Sequence, residues 1–385
     1  MDPAVNGNFK SRVAVVRGDR RRGAVAQALA LLADDLKACV TPEVLVKPNL
    51  VSHQAQRPST HADTLSATLD ALFAAGARSA LVAEGASDAT AGFARLGYRA
   101  EVIGRPVRFF DINRDETDWA PLGLEDVEGR PRLARLSRTI AEAPCRVSLA
   151  LAKTHVTAML TLSLKNMLSS IHPDDRVMMH GHAGGGNGYR GWRRLAVEFL
   201  KGDNRLVNVL TRSLGRVKNA RNHLKAWAGL DTFEALTMSE LGFLRSVEAM
   251  NRNLVALARR TRPHLSVVDG FVAMHREGPR HGTPYPLGTV IAGTDPVAVD
   301  AVAAAVMGFD PWELGYLRYA HEAGLGTAAL DEINVVGDPI ALVRRRLVPH
   351  SNHAVQRHWS RLAPPTLRGP HVRPVASPSE GATTR

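Results

Sequence analysis

The chain alternates short apolar runs with longer amphipathic ones. Residues 12–17, 43–46, 79–83, 107–111 and 147–152 are rich in β-formers. The stretches 24–40, 62–75 and 91–96 between them carry apolar positions at helical spacing. Strands separated by helical segments of this length predict βαβ units and a largely parallel sheet. Gly76 stands where the second helix needs a C-terminal cap. After residue 263 the pattern resumes, with strands at 265–268, 289–294 and 332–336 and helices at 296–307 and 311–323. The predicted class is α/β, a Rossmann-like three-layer fold around one largely parallel sheet.

Two stretches break the alternation. Residues 112–140 are polar and proline-containing, and predict a hairpin or surface excursion. Residues 172–263 open with a glycine-rich loop that includes 184–188, followed by basic segments of helical spacing at 194–200, 206–227 and 231–262. This divides the chain into an α/β core over 1–175 and 263–340 and a helical insertion or cap over 176–262. Over 347–385 His, Pro, Arg and Ser dominate, which predicts a disordered basic tail.

At 385 residues and 45% hydrophobic content the chain can bury an ample core. Its two cysteines, Cys39 and Cys145, form no CxxC pair, which suits a reducing compartment and leaves too few thiolates for an intrachain iron–sulfur cluster. No run approaches the roughly 18 apolar residues of a membrane span, and no charged segment with an apolar core opens the chain. A cytoplasmic protein without membrane contact is expected. The net charge of +12 is unevenly spread. Residues 189–225 carry ten Lys/Arg against two acids, and 341–385 carry eight Arg against one, so the rest is slightly acidic. Binding of nucleic acid or an acidic protein by the insert and tail is an alternative that the main fold does not favour.

The candidate chemistry sits at strand tips. Lys47, Glu84, Lys153, Asp269 and Asp295 each follow a predicted strand, and open α/β sheets bind ligands outside the carboxyl ends of their strands. Lys47-Pro48-Asn49 holds a lysine extended at a sharp turn, a natural clamp for a carboxylate or phosphate. Lys153-Thr154-His155 closes an almost wholly apolar strand, and Lys165-Asn166 interrupts an apolar stretch where unpaired polar groups are costly. Thr294 or Asp295, just before Pro296, is the helix cap. Asp300 lies among Val and Ala on that helix and calls for a partner, a strand-tip lysine being the expected one. Gly278-Pro279-x-x-Gly282 is a loop that could present backbone N–H groups. His172, His180 and His182 lie near Asp174 and Asp175, but their spacing matches neither HxxxH nor HExxH, so a metal set is the weaker reading. GxGxxG after the first strand and GxxxxGK[ST] are both missing, which removes the standard nucleotide motifs.

In order and spacing over residues 43–327, these motifs resemble the DUF362 family: Val46-Lys47-Pro48-Asn49-Leu50, Lys153-Thr154-His155, Ser163-Leu164-Lys165-Asn166, His180, Val268-Asp269-Gly270, the Gly278 loop, and Thr294-Asp295-Pro296 through Asp300. The family name carries no reaction. Many relatives join ferredoxin-type cysteine motifs, which this chain lacks, so a redox or iron–sulfur-associated partner is a second alternative. A distant similarity of layout links the pattern to nickel-pincer lactate racemases. The resulting expectation is an enzyme for a small anionic substrate. Lys153, His155, Lys165 and Asp300 form its catalytic set, and Lys47, Asn49, Glu84, Asn166, Asp269, Gly278 and Asp295 its binding set. Cofactor and oligomeric state, a homo-oligomer among the options, stay open.

Overall fold

The computed structural model describes residues 11–115, 118–183 and 205–367. The loop at 184–188, the segment 194–200 and the chain beyond 367 lie outside the described residues. Among the described residues there are twelve strands: β1 (Ser11–Arg17), β2 (Glu43–Pro48), β3 (Ser79–Glu84), β4 (Val107–Asp111), β5 (Trp119–Glu125), β6 (Pro131–Ser137), β7 (Arg146–His155), β8 (Met159–Thr161), β9 (Leu265–His275), β10 (Thr283–Tyr285), β11 (Thr289–Gly293) and β12 (Ile333–Gly337). Ten form one sheet in the order β12-β1-β11-β9-β7-β2-β3-β4, with β8 added to β7 and β10 to β9. β5 and β6 make a separate antiparallel hairpin, which is the excursion expected at 112–140.

Side chains alternate across a strand, and here both faces are buried. Val13 and Val15 of β1 and Leu45 of β2 join one core, while Ala14, Val16, Val44 and Val46 join the other. Continuous apolar runs are what a doubly covered sheet requires. One face is covered by the helices Arg21–Ala30 and Ala62–Ala74 through Val25, Leu29, Leu65 and Leu69. The other carries the helices Pro296–Val306 and Met238–Thr261 and the β5–β6 hairpin. The helix Met238–Thr261, expected in the inserted segment, joins the main core instead; it starts at a capping box, with Thr237 accepting from the Glu240 N–H and Glu240 reaching back to Thr237. The fold is α/β and largely parallel, as the pattern predicts.

Three expectations are corrected. β11 is antiparallel to both neighbours, β1 and β9, so its carboxyl end lies at the edge opposite to the tips of β2, β3 and β7. β9 does not stop at Val268 but runs on to His275, which puts Asp269 inside the strand. The tail is ordered as far as Leu367, because Leu347, Val355, Trp359 and Leu367 are buried in the main core. The Trp359 indole also donates to the Glu313 carbonyl at 2.8 Å. The polar composition of this segment masked a few well-spaced apolar anchors.

Candidate functional site

The tip of β2 carries Lys47 into full burial. Its ammonium donates to both oxygens of Glu84, each at 3.0 Å, and to the Pro48 carbonyl at 3.3 Å. Glu84, at the tip of β3, also accepts from the N–H groups of Gly85 (2.6 Å), Ala86 (2.9 Å) and Leu50 (3.1 Å) and from the Ser169 hydroxyl. Burial acts to raise this carboxyl, yet Lys47 and the N–H and hydroxyl donors hold it below the usual carboxylate range. The pair is ionised and its bonding capacity is filled.

A second ring of contacts adjoins it. Lys153 donates to Asn49 Oδ1 and to the Pro58 carbonyl at 2.7 Å. Asn49 Nδ2 donates to Asn166 Oδ1 at 2.8 Å, and Asn166 Nδ2 reaches the Lys47 carbonyl and Ser148 Oγ, both at 3.0 Å. Lys47, Asn49, Glu84, Lys153 and Asn166 are thus one buried polar network, assembled from three parallel strand tips and the helix Ser163–Asn166. The β7–β9 register breaks between Leu151 and Lys153, an irregularity of the kind that re-aims side chains beside sites.

The helix Ser163–Asn166 is one turn long, and its start is capped from outside. Asp300 accepts from the N–H groups of Ser163 (2.7 Å) and Leu164 (3.0 Å), one on each carboxyl oxygen. No lysine reaches it, contrary to expectation; backbone dipoles take that role, and burial pushes Asp300 up to about 7. This anchored turn presents Lys165. The Lys165 side chain is 9% exposed, and no hydrogen bond or ion pair among the described residues engages its ammonium. Burial, and then the charge of Lys47, lower it to about 8.

Lys165 acts on two histidines. His155 is lowered far below its ordinary value by burial first, then by Lys165 and His180. His180 is lowered to about 3 by burial, Lys165 and His182. His155 Nδ1 accepts from the N–H groups of Thr157 (3.1 Å) and Ala158 (3.2 Å), so its proton sits on Nε2. His155 is therefore neutral, with Nε2–H left as its donor. Lys153 is lowered well below the lysine range by burial, with Lys165 as the leading charge. With Glu84 filled by Lys47, this neighbourhood has an excess of cations.

Other expected residues go elsewhere. Asp269 is spent on Arg21 (3.1 Å), the Thr64 hydroxyl (2.6 Å) and the Phe271 N–H (3.0 Å). Asp295 caps the helix Pro296–Val306 through Val297 and Ala298 and accepts from Ser11 Oγ at 2.5 Å, at the far edge of the sheet. Gly278 packs on Thr154, where an added Cβ would meet the carbonyl oxygen at 2.1 Å, and its N–H goes to the Arg276 carbonyl. The three loop histidines diverge: His172 to the Trp119 ring, His180 to the Thr157 hydroxyl, His182 to Ser246. Among the described residues no group of three or more His, Cys, Asp or Glu side chains is placed to hold a metal ion. Sequence reasoning missed Ser169 and Thr157, which lie in ordinary runs with no motif to flag them.

The family model described as "Domain of unknown function (DUF362)" matches residues 44–305, more than half of the chain. The protein belongs to the DUF362 family. The matched span of this DUF362 chain includes Lys47, Lys153, Lys165 and Asp300. The thylakoid-associated protein of Synechocystis sp. is 31% identical over 90 residues, which cover 23% of this chain and 28% of that protein's length. Among solved structures, the lactate racemase apoprotein of Thermoanaerobacterium thermosaccharolyticum aligns over 74% of this chain and 54% of its own, at 14% identity and a TM-score of 0.39. A protein from Thermotoga maritima aligns over 73% and 57%, at 12% identity and a TM-score of 0.40. Among the described residues no helix is long and apolar enough to cross a membrane.

Proposed function

We propose that this protein is a cytoplasmic enzyme that holds a small carboxylate- or phosphate-bearing molecule on Lys165. The observation that carries the reading is the Lys165 ammonium, nearly buried and without a partner among the described residues while its neighbours are filled. A buried charge left open is costly unless a counter-ion completes it. Lys153 and its own neighbours add positive potential, and His155 Nε2–H supplies a neutral donor for an oxygen that gains charge. Lys165, lowered to about 8, can also exchange a proton close to neutral pH. Asn49 and Asn166 fix the geometry. The helix Arg205–Trp227, anchored by Arg212 to the carbonyls of His281 and Gly282, serves as part of a cap in this reading.

The test is a thermal-shift titration with inorganic phosphate at constant ionic strength on wild type and Lys165→Met. A charge-assisted contact is worth about 1.5–3 kcal/mol, so the variant should fold yet bind phosphate about ten- to a hundredfold more weakly. Equal protection of both proteins would remove Lys165 from the site.

A further inference from the structure

The helix Arg205–Trp227 is amphipathic in the reverse sense. A surface helix ordinarily turns its apolar stripe to the core and its polar face to water. Here the polar face is the one held against the protein. Arg212 donates to the carbonyls of His281 and Gly282, both at 2.9 Å, and Asn222 to the Ser351 carbonyl at 2.9 Å. Lys218 donates to Asn352. Gly215 lies so close to Glu277 that an added Cβ would meet its carboxyl oxygen at 2.3 Å.

The opposite face carries Leu206, Leu210, Leu214, Val217, Leu224 and Trp227, exposed by 53% to 86%. Their spacings of three, four and seven residues place them in one stripe. Leu230 and Met238, just beyond the helix, are exposed as well. Contiguous apolar surface of this extent marks an interaction site on a soluble protein. The helix holds six Lys/Arg and no acidic residue. By helical spacing Arg216 borders the stripe, while Arg221 and Lys225 are paired with Glu240 of the following helix at 2.8 and 3.2 Å.

We propose that this stripe lies in the interface of an anionic lipid surface, with the rest of the protein on the aqueous side. Leu and Val side chains would enter the headgroup–acyl boundary, Trp227 would sit at its polar margin, Arg216 would meet lipid phosphates, and the net positive charge of the helix would draw the anionic surface. A second copy of the chain is the poorer occupant. A two-fold pairing sets each border against its own kind; the helix carries six Lys/Arg and no acid, and the neighbouring Glu240 is already held by Arg221 and Lys225. That no helix among the described residues is long and apolar enough to cross a membrane does not bear on a helix lying in the plane of the interface. This inference is independent of the ligand on Lys165.

The test is co-sedimentation of the full chain with phosphatidylcholine vesicles, with and without phosphatidylglycerol. It compares wild type with the triple variant Leu210→Gln, Val217→Gln, Leu224→Gln, whose altered side chains are exposed, so its thermal unfolding should match wild type. Wild type should sediment with the anionic vesicles, less with neutral ones and less at high salt. The triple variant should lose at least about tenfold in affinity. Three results would overturn the proposal: wild type left in the supernatant with anionic vesicles, equal binding by the variant, or a dimer in solution that the variant converts to monomer.

Discussion

The tip of β2 and the one-turn helix Ser163–Asn166 each bury a lysine in the same neighbourhood, and they treat it in opposite ways. Lys47 meets Glu84 in a two-oxygen pair, and four further donors complete that carboxylate. Among the described residues Lys165 meets no carboxylate; Asp300, which caps the start of its helix from the helix Pro296–Val306, is turned to the backbone N–H groups instead. A filled buried pair is architecture, because removing either member leaves the other uncompensated. An open buried cation is one that a ligand could complete, which is the reading proposed for Lys165. The contrast separates two lysines that look alike as isolated residues.

The contrast breaks most visibly at Glu84. Glu84→Ala leaves Lys47 buried without its counter-ion and should destabilise the protein by about 3–5 kcal/mol, measured by urea denaturation. A loss under about 1 kcal/mol would mean that Lys47 escapes to solvent and that the two lysines are not different in kind.

Asp300 gives the next effect, through pH. Its folded-state value of about 7 lies above the ordinary 3.8, so folding takes up a proton between the two. The stability it contributes is fully present below 3.8 and lost as pH rises through about 7. The stability difference between wild type and Asp300→Asn should therefore shrink as pH rises across that window. Parallel pH curves for the two proteins would show a carboxyl that titrates normally.

Lys165 gives the smallest effect on folding and the sharpest on binding. Lys165→Met should change stability by less than about 1 kcal/mol, because it removes a desolvated charge that pairs with nothing. Sulfate, whose own charge is constant there, should bind wild type progressively more weakly as pH rises through about 8, where the ammonium is lost. Sulfate affinity that stays level from pH 7 to about 9 by calorimetry would assign the anion to another group.

Much of the fold was legible because burial leaves a pattern. β1, β2, β3 and β7 are apolar on both faces, so each reads as a core strand without any knowledge of its neighbours. The lysines stood out for the same reason, as charges in or beside apolar runs. Partnership was less legible. Asp300 was visibly in need of a partner, but backbone N–H groups carry no sequence signature, so a lysine was the natural and incorrect guess. Asp295 and Asp269 were grouped with the site on the assumption that every strand runs the same way and ends where its apolar run ends. The connection from β9 to β11 holds only the three-residue β10 and no crossover helix, a signal that could have shown β11 to be antiparallel.

What the sequence determined by itself is local: which segments are strand or helix, which positions are apolar, and which charged residues are too expensive to leave unanswered. Those follow from backbone propensity and from transfer free energy, properties of residues and their near neighbours. Strand direction, the pairing of Lys47 with Glu84, the capping of Lys165's helix by Asp300 and the outward turn of the apolar stripe on Arg205–Trp227 were decided only by tertiary structure. Each depends on groups tens to hundreds of residues apart, and the same apolar run packs equally well in either direction until its neighbours are set.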